Sequence, residues 1–270
     1  MAGRPFVGGW CDTSLMYDQA TRDRALTLLR DGLSLRAASQ VTGVSRATLR
    51  DWREHPDRLR RSAVCVRCAP RPGPPEPQWH YAYLLGLYLG DGTISVGGDP
   101  AKGVWALRIF CADAWPGLRS ECRAAIGTIT PGLTVGTRPR DGCTEIICYW
   151  RHWPCLFPQH GPGRKHRRTI ELAPWQQDIV AGHPGALVRG LFHSDGCRFL
   201  SRVRRPLAGG DRWYVYPRYM FTNESRDIRG LCGQALDRLG VDWRYSRRNT
   251  ISVARRESVA RLDEFVGPKY

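Results

Sequence analysis

Long hydrophobic runs are missing from the chain. The most notable one, Tyr81 to Gly90, is about half of what a bilayer-spanning helix needs, and the opening Met1-Ala2-Gly3-Arg4-Pro5 has no apolar stretch of the secretory kind. Neither a membrane protein nor a secreted one is expected, and the reading is a cytoplasmic, nucleoid-associated protein. Acidic residues are scarce: 25 Asp plus Glu face 41 Lys plus Arg, a formal charge of +16. That balance argues against a cationic partner and points to a polyanion, nucleic acid first. Lysine is rarer still, with Lys102, Lys165 and Lys269 set against 38 arginines. A second cysteine pair is also lacking. Cys65-Val66-Arg67-Cys68 has the spacing of half a zinc knuckle, but no further CxxC or CxxH follows. Zn²⁺ at Cys65 and Cys68 would need Cys11, His55 or His80 to complete it. The other reading is two ordinary cysteines among ten scattered ones that form no disulfide framework.

What is present organises into two pieces. The 270 residues, 42% hydrophobic, suffice for one large domain or two ordinary ones with a real core. Five prolines between Pro70 and Pro77 exclude a helix there and suit a short, stiff linker. The expected domains are 1–68 and 80–270, joined by a linker over 69–79. Residues 1–70 carry +5 and residues 71–270 carry +11, so both pieces can touch nucleic acid.

In the first piece, Ala25, Leu26, Leu28 and Leu29 predict a helix over 22–30 that stops at Asp31-Gly32. Ser34 can start a second helix with Leu35, Ala38 and Val41 on one face. Gly43 then supplies a tight turn, and Ser45 caps a third helix with Leu49 and Trp52 inward. This is a helix-turn-helix pattern. Arg46, Thr48, Arg50 and Arg53 would project from its third helix toward a major groove and its phosphates. The plainer alternative is a three-helix bundle with solvated arginines.

The second piece contains a doubled motif. Leu84 to Gly92 and Val188 to Gly196 share the frame G-L-x-x-x-D-G, with Asp91 and Asp195 104 residues apart. Each stretch is helical in pattern and ends at a glycine C-cap, which puts its aspartate at the foot of the helix. Small residues fall four apart, Gly86 and Gly90 in one helix and Gly190 and Ser194 in the other, so the two backbones can approach closely. The carboxylates would then meet and repel unless a divalent cation neutralises them, and Mg²⁺ is the natural resolution. After each motif the pattern reads αββαββα. Lys165 and Lys269 each lie 74 residues after their aspartate and each follow a Gly-Pro. A lysine in that register can polarise an attacking water or neutralise charge on phosphorus. The alternative is two surface cations.

These paired motifs resemble the LAGLIDADG homing endonucleases over Tyr81 to Tyr270. The resemblance implies an α+β fold in which tandem αββαββα repeats, 81–169 and 184–270, form a saddle of two antiparallel sheets on duplex DNA, preceded here by a small all-α helix-turn-helix domain. It implies Asp91 and Asp195 as Mg²⁺ ligands, Gly90 and Ser194 as backbone carbonyl donors, and Lys165 and Lys269 as catalytic helpers. Leu89 and His193 depart from the often acidic sixth position. Both active sites would sit in one chain, so a monomer with internal pseudo-twofold symmetry is expected. Among DNA contacts, Arg198 and Arg202 lie in arginine stretches with interleaved aromatics, and Arg164, Arg167 and Arg168 form the densest basic run with Lys165. Two functions stand open. One is a sequence-specific, Mg²⁺-dependent DNA endonuclease, free-standing because the chain runs from Met1 to Tyr270 without a His-Asn splice junction. The other is a transcriptional regulator using the same fold as a DNA grip, similar to sporulation regulators that join a LAGLIDADG-like domain to a helix-turn-helix.

Overall fold

Two glycines with left-handed backbone, Gly32 at φ 91° and Gly43 at φ 71°, joint the first three helices of the computed structural model. The structure describes residues 19–54, 73–97, 103–208, 210–267 and 269–270. Cys11, His55, Cys65, Cys68 and Lys102 lie outside them. The chain divides into two units, Met1–Val64 and Cys65–Tyr270.

In the first unit, α1 (Gln19–Arg30), α2 (Leu35–Thr42) and α3 (Arg46–Glu54) pack around Ala25, Ala38, Val44 and Leu49. Ser34 caps α2 by accepting the Ala37 amide at 3.2 Å, and Ser45 accepts the Thr48 amide at 3.2 Å. Val41, expected inward, is 51% exposed, and Val44, just past the turn at Gly43, is buried in the core instead.

The second unit is two αββαββα repeats. The first runs α4 (Gln78–Asp91), β1 (Gly92–Val96), β2 (Trp105–Ala112), α5 (Pro116–Ile129), β3 (Val135–Arg140), β4 (Cys143–Trp150) and the single turn α6 (Trp153–Leu156). A connection containing α7 (Pro174–Gly182) leads to α8 (Pro184–Asp195), β5 (Gly196–Leu207), β6 (Gly210–Thr222), α9 (Arg226–Arg238), β7 (Arg244–Arg247), β8 (Thr250–Val253) and α10 (Arg256–Phe265). Each repeat folds its strands into one antiparallel sheet, in the orders β1-β2-β4-β3 and β5-β6-β8-β7. The α+β class and the doubled element order are as the sequence predicts.

Helices α4 and α8 are the axis of this unit. Every residue of α4 from Tyr81 to Leu89 is buried, which explains why its sequence is apolar all round rather than striped. At the crossing the backbones nearly touch: a Cβ on Gly86 would stand 2.5 Å from the Leu187 carbonyl oxygen and 2.8 Å from the Gly190 Cα. One on Gly190 would run into the Tyr83 carbonyl. The glycines that end both helices act differently from the expected left-handed cap. Gly92 (φ −91°) and Gly196 (φ −105°) are extended and pass directly into β1 and β5. Glycine is needed there because the strand folds back so tightly that a Cβ would lie 2.5 Å from Tyr88 Cα or 2.7 Å from Phe192 Cα.

Candidate functional site

The close crossing brings the feet of α4 and α8 together. Ser194 fills the space left by the missing side chain of Gly90, and Asp195 Oδ2 lies 3.1 Å from where a Gly90 Cβ would stand. Asp91 and Asp195 therefore end neighbouring helices at one place, as the small residues four apart in each helix lead one to expect. Asp91 is open to solvent along one edge, yet the protein crowded around it, and then the charge of Asp195, push its pKa up to about 6. Lys165 and Lys269 pull the other way. Burial raises Asp195 as well, opposed first by Asn223, whose Nδ2 donates to Asp195 Oδ2 at 2.6 Å.

Each lysine reaches the helix of its own repeat. Lys165 starts a short 3-10 turn, Lys165–Arg167, and its Nζ donates to the carbonyls of Tyr88 (2.5 Å), Leu89 (2.9 Å) and Gly90 (2.7 Å). An ammonium has three donors, so all of them are committed to the end of α4, where a cation also meets the negative pole of the helix. Lys269 donates to Gly196 O at 2.6 Å and Ser194 O at 3.4 Å. Burial lowers both lysines, Lys165 to about 8, while the two aspartates hold them up.

These donors suit a hard divalent cation. Two carboxylates and the helix-end carbonyls of Gly90 and Ser194 are oxygen ligands of the kind Mg²⁺ takes, and burial first, then the neighbouring Asp195, makes Asp91 costly to ionise without a cation. The lysines already touch those two carbonyls, but a carbonyl oxygen has two lone pairs. Among the described residues no group of three or more His, Cys, Asp or Glu side chains forms a further metal cluster.

The departure at His193 has a structural reason. Its ring is buried, with Nδ1 3.0 Å from the Tyr83 hydroxyl and Nε2 2.8 Å from the Val266 carbonyl, and burial lowers its pKa to about 4. Beside it Arg189 of α8 grips Glu121 of α5 with two bonds of 2.7 and 2.8 Å and donates to Val266 O at 2.6 Å. Tyr270 completes this strap across the repeats. Its carbonyl accepts the amides of Gly117 (2.6 Å) and Leu118 (3.3 Å), and its hydroxyl donates to Glu121 at 3.0 Å. Lys269 is thus held between two anchored neighbours, Val266 and Tyr270. None of Asn223, Arg189, Glu121 or Tyr270 is singled out by the sequence motifs.

Strand register sorts the arginines. Phe221 and Tyr219 of β6 pack on Phe192 of α8, so their partners Gly196 and Arg198 also face the helices. Arg198 accordingly binds Asp263 of α10 at 2.7 and 2.9 Å, and Arg202 lies on the same side of β5. The opposite face carries Phe199, Ser201, Val203 and Arg205 on β5 with Arg212, Tyr214, Tyr216 and Arg218 on β6. On the first sheet the matching outward face holds a buried acid, Glu145, between Arg108 (2.9 Å) and Arg140 (2.6 Å). Arg164 and Arg167 are exposed beside Lys165, whereas Arg168 turns in to the Gln159 carbonyl. In the first unit Arg46, Arg50 and Arg53 are exposed on α3. Thr48 does not project with them, because its hydroxyl is 2.8 Å from Ser45 Oγ within the cap.

No family model matches the chain, and no curated protein matches it in sequence. Solved structures similar to it are LAGLIDADG homing endonucleases. Mesophilic variants of the homing endonuclease I-DmoI match at 13% identity over 70% of this chain and 96% of that one, with a TM-score of 0.46. I-DmoI in complex with DNA and Ca matches at 13% over 71% of this chain and 91% of that one, TM-score 0.44. The LAGLIDADG meganuclease I-AabMI bound to uncleaved DNA matches at 11% over 68% and 82%, TM-score 0.44. No helix among the described residues is long and apolar enough to cross a membrane.

Proposed function

We propose that the chain is a sequence-specific double-stranded DNA-binding protein and a Mg²⁺-dependent endonuclease of the LAGLIDADG type, hydrolysing phosphodiester bonds beside Asp91 and Asp195. One observation carries this reading: two adjoining carboxylates at paired helix ends, each with a lysine from its own repeat reaching the same helix end. A pure DNA binder gains nothing from acids that repel phosphate. Bound by Asp91, Asp195 and the carbonyls of Gly90 and Ser194, Mg²⁺ would supply a nucleophilic water at neutral pH and offset charge on the phosphate. The chain's own residues do the rest. Asp91 and Asp195 fix where that charge is needed. Lys165, with a pKa of about 8, can hold or release a proton at Nζ near neutral pH once it leaves a helix carbonyl. Arg164 and Arg167 stand ready for flanking phosphates. Both acids lie in one chain, so the active form is a monomer with internal pseudo-twofold symmetry, working in the cytoplasm on the nucleoid. The division into a domain at 1–68, a linker at 69–79 and a nuclease-like domain at 80–270 belongs to this reading. In it α2 and α3 act as a helix-turn-helix presenting Arg46, Arg50 and Arg53.

A second reading, a transcriptional regulator on a nuclease scaffold, is favoured by the full commitment of Lys165 to capping α4. The two separate cleanly. Purified protein is incubated with Mg²⁺ and fragmented genomic DNA of its host, new ends are sequenced, and Asp91→Asn runs in parallel. Discrete double-strand ends that vanish in the variant are the expected result. Specific fragments bound equally by both proteins, without new ends, would overturn the nuclease and leave the regulator.

A further inference from the structure

Two buried thiols stand beside the first acid. Cys111 of β2 lies two residues past Ile109, the strand partner of Gly92, where the charges of Asp91, Arg119 and Lys269 reach it. Cys122 lies on α5, and the two cysteines are 2% and 0% exposed. The helix is turned so that they meet: Arg119, three residues before Cys122 on the same face, donates at 3.1 Å to Thr144, the strand partner of Cys111. The thiols hydrogen-bond to each other. That bond favours the thiolate at Cys111, and together with burial it keeps Cys122 protonated.

The second repeat lacks this pair. Cys122 comes six residues after the start of α5 and Cys232 six after the start of α9, and both are buried. The place of Cys111 is taken by Asn223, likewise two residues past the strand partner of Gly196, and its amide donates to Asp195. Burial alone raises Cys232, without a thiol contact among the described residues. A single buried cysteine is a small apolar residue, and Cys232 fits that description. Two in contact, next to an acid that meets solvent, form the arrangement of reversible oxidation, a reacting sulfur poised beside a resolving one.

We propose that Cys111 and Cys122 are an oxidation site, at which hydrogen peroxide joins β2 to α5 and shifts Asp91 while leaving Asp195 in place. The effect on cleavage rests on the nuclease reading above, and the covalent step does not. The Cys111 sulfur attacks one peroxide oxygen, the O–O bond breaks, and the other oxygen leaves as water once protonated. The Cys122 sulfur then attacks the sulfenic acid, whose hydroxyl departs as water with the Cys122 proton. Two thiols and one peroxide give one disulfide and two waters, the sulfurs losing the two electrons that the peroxide gains. Such an oxidant is scarcely larger than water and enters where Asp91 meets solvent. Joining the sulfurs draws the end of β2 toward α5, and Gly92, paired with β2, carries Asp91 with it.

The test treats the full chain with hydrogen peroxide, blocks the remaining thiols and reads a tryptic digest by mass spectrometry. Trypsin cuts at Arg119, between the two cysteines, so the disulfide appears as a linked pair of peptides, 109–119 and 120–123. Expected is that link, undone by dithiothreitol, with Cys232 unmodified. In Cys122→Ala the resolving sulfur is gone, and dimedone should capture Cys111 as its sulfenic acid. A duplex selected from a random-sequence library in EDTA serves for the second readout. Oxidised protein should retain it as tightly as reduced protein but cut it about 10²-fold more slowly, the loss that goes with a displacement of about 1 Å. Cys111→Ala should keep its cleavage under peroxide. No link under conditions that oxidise the exposed Cys197 would overturn the site. Unchanged cleavage by the linked protein would overturn the control of Asp91, as would an equal loss in Cys111→Ala or a parallel loss of duplex retention. Reduced protein that forms the link on treatment but never cuts would remove the nuclease reading and leave the oxidation site standing.

Discussion

Asp91 and Asp195 close matching helices, but they are held differently. Asp195 accepts a hydrogen bond from Asn223, the residue that follows β6 and donates its own amide to Asn249 O at 3.0 Å. In the first repeat the matching position is Cys111, two residues past Ile109, the strand partner of Gly92, as Asn223 is two past Phe221, the partner of Gly196. A buried thiol stands there in place of an amide. One acid is thus oriented by a neutral amide, and the other is left to cations. The lysines are unequal in the opposite sense, Lys165 having three carbonyl acceptors and Lys269 two among the described residues. Duplication supplies two copies of a site, and neighbouring side chains then divide the work between them.

The largest test of this comparison is removal of the acids. Asp91→Asn should lower cleavage of the selected duplex by about 10³-fold or more. In metal-free buffer at pH 7 the same variant should melt above wild type. Because the folded-state pKa of Asp91, about 6, lies above the ordinary carboxylate value, stability falls as pH rises through that interval, and at pH 7 the full penalty is present. Asp195→Asn should gain less, since Asn223 already offsets its charge. A metal-free Asp91→Asn protein that melts no higher than wild type would break the distinction.

Next come the glycines, where the repeats should agree. Gly86→Ala and Gly190→Ala each force a methyl into backbone and should cost about 3 kcal/mol in urea unfolding. A strongly unequal pair would mean that the crossing relaxes from one side. Lys165→Met should cost about 2 kcal/mol and Lys269→Met about 1, following their carbonyl acceptors. Equal losses would show that capping does not decide the difference. Smallest is Asn223→Ala, which removes a bond favouring ionised Asp195 and should move the acidic limb of the cleavage pH profile upward. Cys111→Ala should leave that limb in place, and a matching shift in both would erase the asymmetry.

Much of this arrangement is legible in the chain. The small residues four apart announce the helix crossing, and the matched lysine spacing announces the second cation. What escapes is information carried across strands. A one-residue change of register swaps the faces of a strand, so Arg198 and Arg205 look alike in sequence although one binds Asp263 and the other faces away from the helices. Glu145, buried between Arg108 and Arg140, is recognisable only after β2, β3 and β4 are paired. β5 reads as a basic run because neither of its faces is continuously apolar. Asn223 emerges only when the ends of β2 and β6 are compared.

The strap through Tyr270 joins positions 149 residues apart at Glu121, one in each repeat. The carbonyls that Lys269 binds, those of Ser194 and Gly196, belong instead to its own repeat. Exchange of the Gly117 amide would therefore report the docking of the two repeats separately from the site around Lys269.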